Sequence, residues 1–252
     1  MVIKQIKQWF TVRANAARWR PLIDWAEERG GLLRHARDGR GFVIDLPRTL
    51  PGLTRIEWGP SQRSYISGYE LRMRCELKLS PDMQMMVIER KLMEQLESSV
   101  FEAYTDTLRT RVDTDTPEEM RWLVMFPKQP VLESKLVKQR FGVVGVNQEL
   151  CTAWMSSSLC ERLAQASQDI LVEGRPFVLL SLRGNVYLRT AMPDPSLPEV
   201  QGLTRVLEAA ALSAQEVGHR FGEGGSWPTT TSVAWHNRPA ETDHSVPRND
   251  VA

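Results

Sequence analysis

The chain has 252 residues, of which 42% are hydrophobic and 25% charged, and its formal net charge at pH 7 is +1. This is the composition of an ordinary globular protein with enough apolar material for a sizeable core. The small net charge excludes any global electrostatic argument for binding nucleic acid or an anionic membrane. Three cysteines, an odd number, argue against a disulfide framework. We therefore expect a cytoplasmic protein with buried thiols.

The first 29 residues are predicted to form an amphipathic helical segment. Four large apolar side chains share one face at helical spacing: Ile3, Ile6, Trp9 and Phe10. The first twenty residues also carry five positive charges and no acidic residue, at Lys4, Lys7, Arg13, Arg18 and Arg20. A cationic amphipathic helix of this kind binds an anionic membrane surface, fits a groove on a partner protein or packs on its own domain. The sequence leaves these three interpretations open.

Four strands are predicted between residues 32 and 79, joined by short turns into an antiparallel meander. The fourth strand, expected to begin near Ser64, carries the clearest pattern, because apolar and charged residues alternate throughout residues 69–79. This period of two predicts one face on a core and the other in water. The charges on the wet face have mixed signs, which favours cross-strand ion pairs over nucleic-acid binding. They are Glu70, Arg72, Arg74, Glu76 and Lys78.

Helices are predicted over residues 80–108, 116–126, 148–168 and 199–221. Ser80-Pro81 and Thr116-Pro117 each offer a hydroxyl N-cap followed by proline in the first turn. A second hairpin is expected within residues 177–191, and residues 141–146 fit either a short strand or a glycine-rich connection. We therefore predict an α+β fold, with an antiparallel meander of about four strands plus a second hairpin, and helices packed mainly on one face. Residues 30–126 and 127–221 form two lobes in this prediction, and whether they share one core is left open.

Residues 222–252 change in composition to Gly, Ser, Thr, Pro and Asn, which predicts a disordered tail. Two tryptophans, Trp227 and Trp235, stand out in this polar segment, and large aromatic residues are common anchors for binding. Residues 229–235, with Val233 among them, alternate in a way that suits addition as a strand to an exposed sheet edge. That edge belongs either to this protein or to a partner.

The sequence contains no motif that predicts catalytic, cofactor-binding or metal-binding residues. The densest carboxylate cluster is Asp113, Asp115, Glu118 and Glu119. It has neither the spacing nor the glycine of a calcium loop, and the start of a helix explains its glutamates. Of the four histidines, none belongs to a recognisable hydrolase or zinc motif. Catalysis by residues that meet only in the folded chain remains an alternative.

Three segments resemble a group of uncharacterised bacterial proteins to which no activity is attached. They are R-I-E-W-G-P-S-Q-R-S-Y-I-S-G-Y-E-L-R from Arg55, T-P-E-E-M-R-W-L from Thr116 and R-G-N-V-Y-L-R from Arg183. The resemblance covers most of residues 20–215, implies a bacterial cytoplasmic protein and carries over no catalytic residue.

The leading functional hypothesis is a non-catalytic protein that binds a protein partner through its two chain ends. The predicted partner-binding residues are Ile3, Ile6, Trp9, Phe10, Trp227, Val233 and Trp235. Attachment to a membrane surface through Lys4, Lys7, Arg13 and Arg18 is the first alternative, and an enzyme of unknown class is the second.

Overall fold

The computed structural model describes residues 17–36, 38–47, 51–105, 117–132 and 134–222. Within these ranges the chain forms seven helices and eight strands, which is an α+β fold as predicted. The helices are α1 (Arg20–Glu28), α2 (Arg90–Thr105), α3 (Glu118–Met125), α4 (Lys135–Arg140), α5 (Gln148–Trp154), α6 (Ser157–Asp169) and α7 (Leu197–Gly222). The strands are β1 (Leu32–His35), β2 (Phe42–Leu46), β3 (Leu53–Pro60), β4 (Tyr69–Glu76), β5 (Met85–Glu89), β6 (Phe141–Gly145), β7 (Phe177–Leu182) and β8 (Asn185–Ala191).

All eight strands belong to one antiparallel sheet, in the order β1-β2-β3-β4-β8-β7-β5-β6. The predicted meander occupies one half of this sheet, and the predicted second hairpin joins it at β4 through β8. The prediction of about four strands plus a hairpin is therefore too low by two. The two additional strands are β5 and β6, which pair with each other.

The predicted helix over residues 80–108 is wrong in its first part, because Met85–Glu89 is the strand β5. Every residue of β5 is buried, and residues 85–88 form a continuous apolar run in place of an alternation. A run of this kind does not distinguish a buried strand from a buried helix. The helix begins at Arg90, and the buried Glu89 accepts a hydrogen bond from the backbone N–H of Leu92.

The main core lies on one face of the sheet, beneath α1, α4, α5, α6 and α7. One row of paired residues crosses all eight strands on this face, and none of its members is more than 8% exposed. The row is Leu33, Ile44, Ile56, Met73, Leu188, Leu179, Val87 and Val143. This face carries five of the seven described helices, as the prediction of helices mainly on one face requires.

The second face of the sheet is divided into two halves. Helices α2 and α3 cover β5, β6 and β7 and form a second core that contains Trp122, Met93 and Leu96. The other half, over β1 to β4 and β8, carries polar side chains. A single row shows the division, because its first five members are polar or exposed and its last three are buried. That row is Leu32, Asp45, Arg55, Arg74, Tyr187, Leu180, Met86 and Val144.

Residues 61–68, which the sequence predicts partly as strand, form a loop that folds over the end of β4. The Ser61 N–H donates to the carbonyl of Gly68, whose φ of 79° is unfavourable for residues with a side chain. Gln62 of this loop lines the polar half of the sheet, while Tyr65 packs against the second core. The loop therefore forms one wall of the candidate site.

Candidate functional site

The polar half of the second sheet face is the candidate functional site, and we call it the open face. It comprises the outward side chains of β1 to β4 and β8: Leu32, Arg34, Val43, Asp45, Leu53, Arg55, Glu57, Arg72, Arg74, Glu76, Tyr187 and Arg189. Five are arginines and three are carboxylates. The alternation in β4 places Arg72 and Arg74 on this face, while Met73 and Cys75 enter the main core.

Ion pairs between neighbouring strands hold the open face in order. Arg55 of β3 lies 3.4 Å from Asp45 of β2 and 2.6 Å from Glu57 of its own strand. Glu57 also lies 3.3 Å from Arg72 of β4. Burial opposes ionisation of the Glu57 carboxyl, but its bonds to these two arginines outweigh that effect and lower its pKa. The predicted cross-strand ion pairing is therefore confirmed.

Glu70 is a fully buried carboxylate at the end of the open face, beneath the loop of residues 61–68. Its Oε1 accepts hydrogen bonds from the Gln62 backbone N–H at 3.1 Å, Arg72 at 3.0 Å and Arg189 at 3.1 Å. Among the described residues, the other oxygen, Oε2, has no hydrogen-bond partner. Glu70 thus joins the loop, β4 and β8 through one atom.

A second buried carboxylate, Glu119, ties α3 to the same loop. Its Oε1 accepts from Arg63 Nε at 2.5 Å and from the Tyr65 hydroxyl. Burial and the charge of Glu119 raise the pKa of Tyr65, so this phenol stays protonated and donates. Glu118 pairs with Arg183 of the β7–β8 turn at 3.1 Å. The two glutamates of the predicted carboxylate cluster therefore act as structural ion-pair partners of arginine, while Asp113 and Asp115 lie outside the described residues.

Most residues predicted to bind a partner or a membrane lie outside the described ranges. These are Ile3, Lys4, Ile6, Lys7, Trp9, Phe10, Arg13, Trp227, Val233 and Trp235. Arg18 is described, and its guanidinium lies 2.5 Å from Asp194. The next residue, Trp19, is 1% exposed and packs on His35, Phe42 and Trp58. The chain is therefore anchored to the main core within the predicted N-terminal segment of residues 1–29.

The buried thiols of Cys75 and Cys151 give a simple chemical prediction. Burial raises the pKa of Cys151 to about 12, so the thiolate fraction at pH 8 is on the order of 10⁻⁴. We expect a thiol reagent at this pH to modify neither cysteine in the folded protein and all three cysteines in urea. Fast stoichiometric labelling of a native Cys75→Ser variant at Cys151, located by mass spectrometry, would contradict this burial.

Within the described ranges, no three His, Cys, Asp or Glu residues form a group that could hold a metal ion. The described helices also include none that is long and apolar enough to cross a membrane. A cleft between α6 and α7, lined by Arg162, Asp169 and Arg205 among others, lies apart from the open face. The interpretation that the protein has no catalytic residues stays a prediction.

Sequence reasoning missed the contributions of Arg55, Tyr187 and Arg189 to the open face. The alternation in residues 69–79 identified the wet side of β4, but it did not indicate that β8 pairs with it. A second alternation, in residues 185–191, could have indicated another strand with one polar face, because it places Tyr187 and Arg189 on the same side as Asn185. Comparison with known proteins gives no match to a family model, to a curated protein or to a solved structure.

Proposed function

We propose that this protein is a non-catalytic binding protein whose open face docks a partner protein. The observation that supports the proposal is the uneven cover of the sheet. Helices cover one face completely and half of the other, whereas the half over β1 to β4 and β8 carries only side chains and the 61–68 loop within the described residues. An ordered surface five strands wide is a suitable platform for a second protein.

The composition of the open face also suits a protein partner. Arginine and tyrosine are enriched where proteins bind each other, and the face presents five arginines and Tyr187. Two leucines lie at the same end of the face, with Leu32 54% and Leu53 39% exposed. A partner would bury these leucines and Tyr187 and pair its carboxylates with the arginines. The chain ends, including Trp9, Trp227 and Trp235, remain predicted recognition elements beside this surface.

The test is a Leu53→Lys variant of the tagged full-length protein. Leu53 is directly opposite Glu76, so lysine gains a favourable cross-strand neighbour and the fold should be retained. The matched control is Leu212→Lys on α7, which is 46% exposed and lies on the helical side of the sheet. We expect a protein captured from the native host by wild type and by Leu212→Lys to be lost with Leu53→Lys.

One result of this experiment, and one result of a tail deletion, would count against the proposal. An identical set of captured proteins for all three chains would remove the open face as the docking surface. Deletion of residues 223–252 tests the tail separately from the open face. This deletion should leave the melting temperature nearly unchanged, so a loss of capture would not come from unfolding. Loss of capture on deletion, with no loss on Leu53→Lys, would show that the tail binds the partner and that the open face does not.

A further inference from the structure

A cleft of about 130 Å³ lies at the centre of the open face. It is formed by two neighbouring rows of side chains from β3, β4 and β8, closed at one end by the loop residue Gln62. The first row is Arg55, Arg74 and Tyr187, and the second is Glu57, Arg72 and Arg189. The volume is several times the space that one water molecule needs, so the cleft admits a group of phosphate size.

Four guanidinium groups and one carboxylate line this cleft. Arg55 is directly opposite Arg74, and Arg72 is directly opposite Arg189. Like charges at opposite positions of two antiparallel strands destabilise a sheet. Ion pairs to four carboxylates compensate this repulsion: Asp45, Glu57, Glu76 and the buried Glu70. Of these four only Glu57 lines the cleft, so guanidinium groups predominate on its walls.

The arginines also retain hydrogen-bond donors. The Nε atoms of Arg72 and Arg74 are buried and have no acceptor among the described residues. Arg74 donates from Nη2 to the half-exposed Glu76, and Arg189 donates from Nη1 to Glu70. Since each guanidinium carries five N–H donors, several remain for a ligand. Planar guanidinium groups match the oxygens of a phosphate with paired, charge-assisted hydrogen bonds.

We propose that the cleft is a binding site for a phosphate group, held by Arg55, Arg72, Arg74 and Arg189. The side chains that line the cleft carry four positive charges and one negative charge. This lining therefore suits a doubly charged phosphate better than a ligand with a single carboxylate. Tyr187, which lies opposite Arg74, also lines the cleft. The site stands independently of the proposed function, because phosphate binding and partner capture are measured separately and either can fail alone.

The test is a calorimetric titration of the full-length protein with inorganic phosphate in a low-salt buffer. Wild type should bind one phosphate with saturation. Arg74→Gln should weaken binding by about tenfold, the effect of losing charge-assisted hydrogen bonds. This variant should fold normally, because the ion pair between Arg74 and Glu76 is 40% and 42% exposed at its two side chains. Glu57→Gln should have the opposite effect and tighten binding, because it removes the carboxylate from the lining.

Arg162→Gln, in the separate cleft between α6 and α7, is the matched control and should bind like wild type. O-phosphoserine in place of inorganic phosphate distinguishes the source: tighter binding assigns an esterified phosphoryl group, and weaker binding assigns the free ion. Acetate binding as tight as phosphate would overturn the assignment to phosphate. So would the absence of saturable binding to wild type, or equal affinities for wild type and Arg74→Gln.

Discussion

Replacing Trp58 with alanine should lower the free energy of unfolding by about 3–5 kcal/mol, as is usual for truncation of a buried tryptophan. Trp58 is 6% exposed and lies in an aromatic cluster that joins β2, β3 and β4 to the start of the described chain. Its ring stacks on Tyr69 at 4.7 Å and meets Trp19 edge to face at 5.6 Å. Alanine would leave a cavity against all of these rings. The measurement is urea unfolding followed by circular dichroism.

The Trp58→Phe variant is the matched control for this cavity. Trp58 Nε1 donates a hydrogen bond to the Met192 carbonyl at 2.7 Å, which phenylalanine cannot do. Phenylalanine keeps most of the aromatic packing, so we expect it to cost about 1–3 kcal/mol, the penalty for one unsatisfied buried polar group. An alanine variant more stable than the phenylalanine variant would contradict the packing described for this cluster.

Replacing Glu70 with alanine should destabilise the fold by about 3 kcal/mol, because it leaves buried positive charge without its partner. Three donors converge on Glu70, and two are the opposed guanidinium groups of Arg72 and Arg189. Their side chains are only 18% and 17% exposed, so water replaces the carboxylate poorly. Chemical denaturation at neutral pH and fixed ionic strength measures the loss.

Two further variants show whether the charge of Glu70 causes this effect. Glu76→Ala removes a carboxylate from the same strand, but its side chain is 42% exposed and the expected loss is under about 1 kcal/mol. Arg189→Met in the Glu70→Ala background removes one of the opposed arginines and should restore part of the stability. Equal losses for Glu70→Ala and Glu76→Ala would show that burial does not strengthen the Glu70 interactions.

The sequence predicted some elements well because their signals are local. The alternation over residues 69–79 predicted a strand with one face in a core and one in water, and β4 has that arrangement. Glu118 and Glu119 lie in the first turn of a short helix, as the pattern at Thr116-Pro117 indicated, but Pro117 occupies the N-cap position that was predicted for Thr116. In both cases neighbours in sequence carry the relevant free energy, through side-chain periodicity in one and the helix terminus in the other.

The same reasoning failed where burial removed the pattern. The apolar run of residues 85–88 lacks a period because one of its faces packs in the main core and the other in the second core. For the same reason the sequence of Phe141–Gly145, whose residues are all buried, fits both a strand and a connection. Composition alone cannot assign such a segment, since a helix and a strand bury an all-apolar run equally well.

From the order of its amino acids alone, this chain determined an α+β fold, a half-solvated strand at residues 69–79 and the ion-pairing character of its polar side. The tertiary structure decided that β4 and β8, more than 100 residues apart, lie side by side and bring Arg74 to Tyr187 and Arg72 to Arg189. Packing of Met73 against Leu188 in the main core sets that register, and one residue of slippage would turn every outward side chain inward. The cleft therefore depends on a pairing that no local pattern encodes.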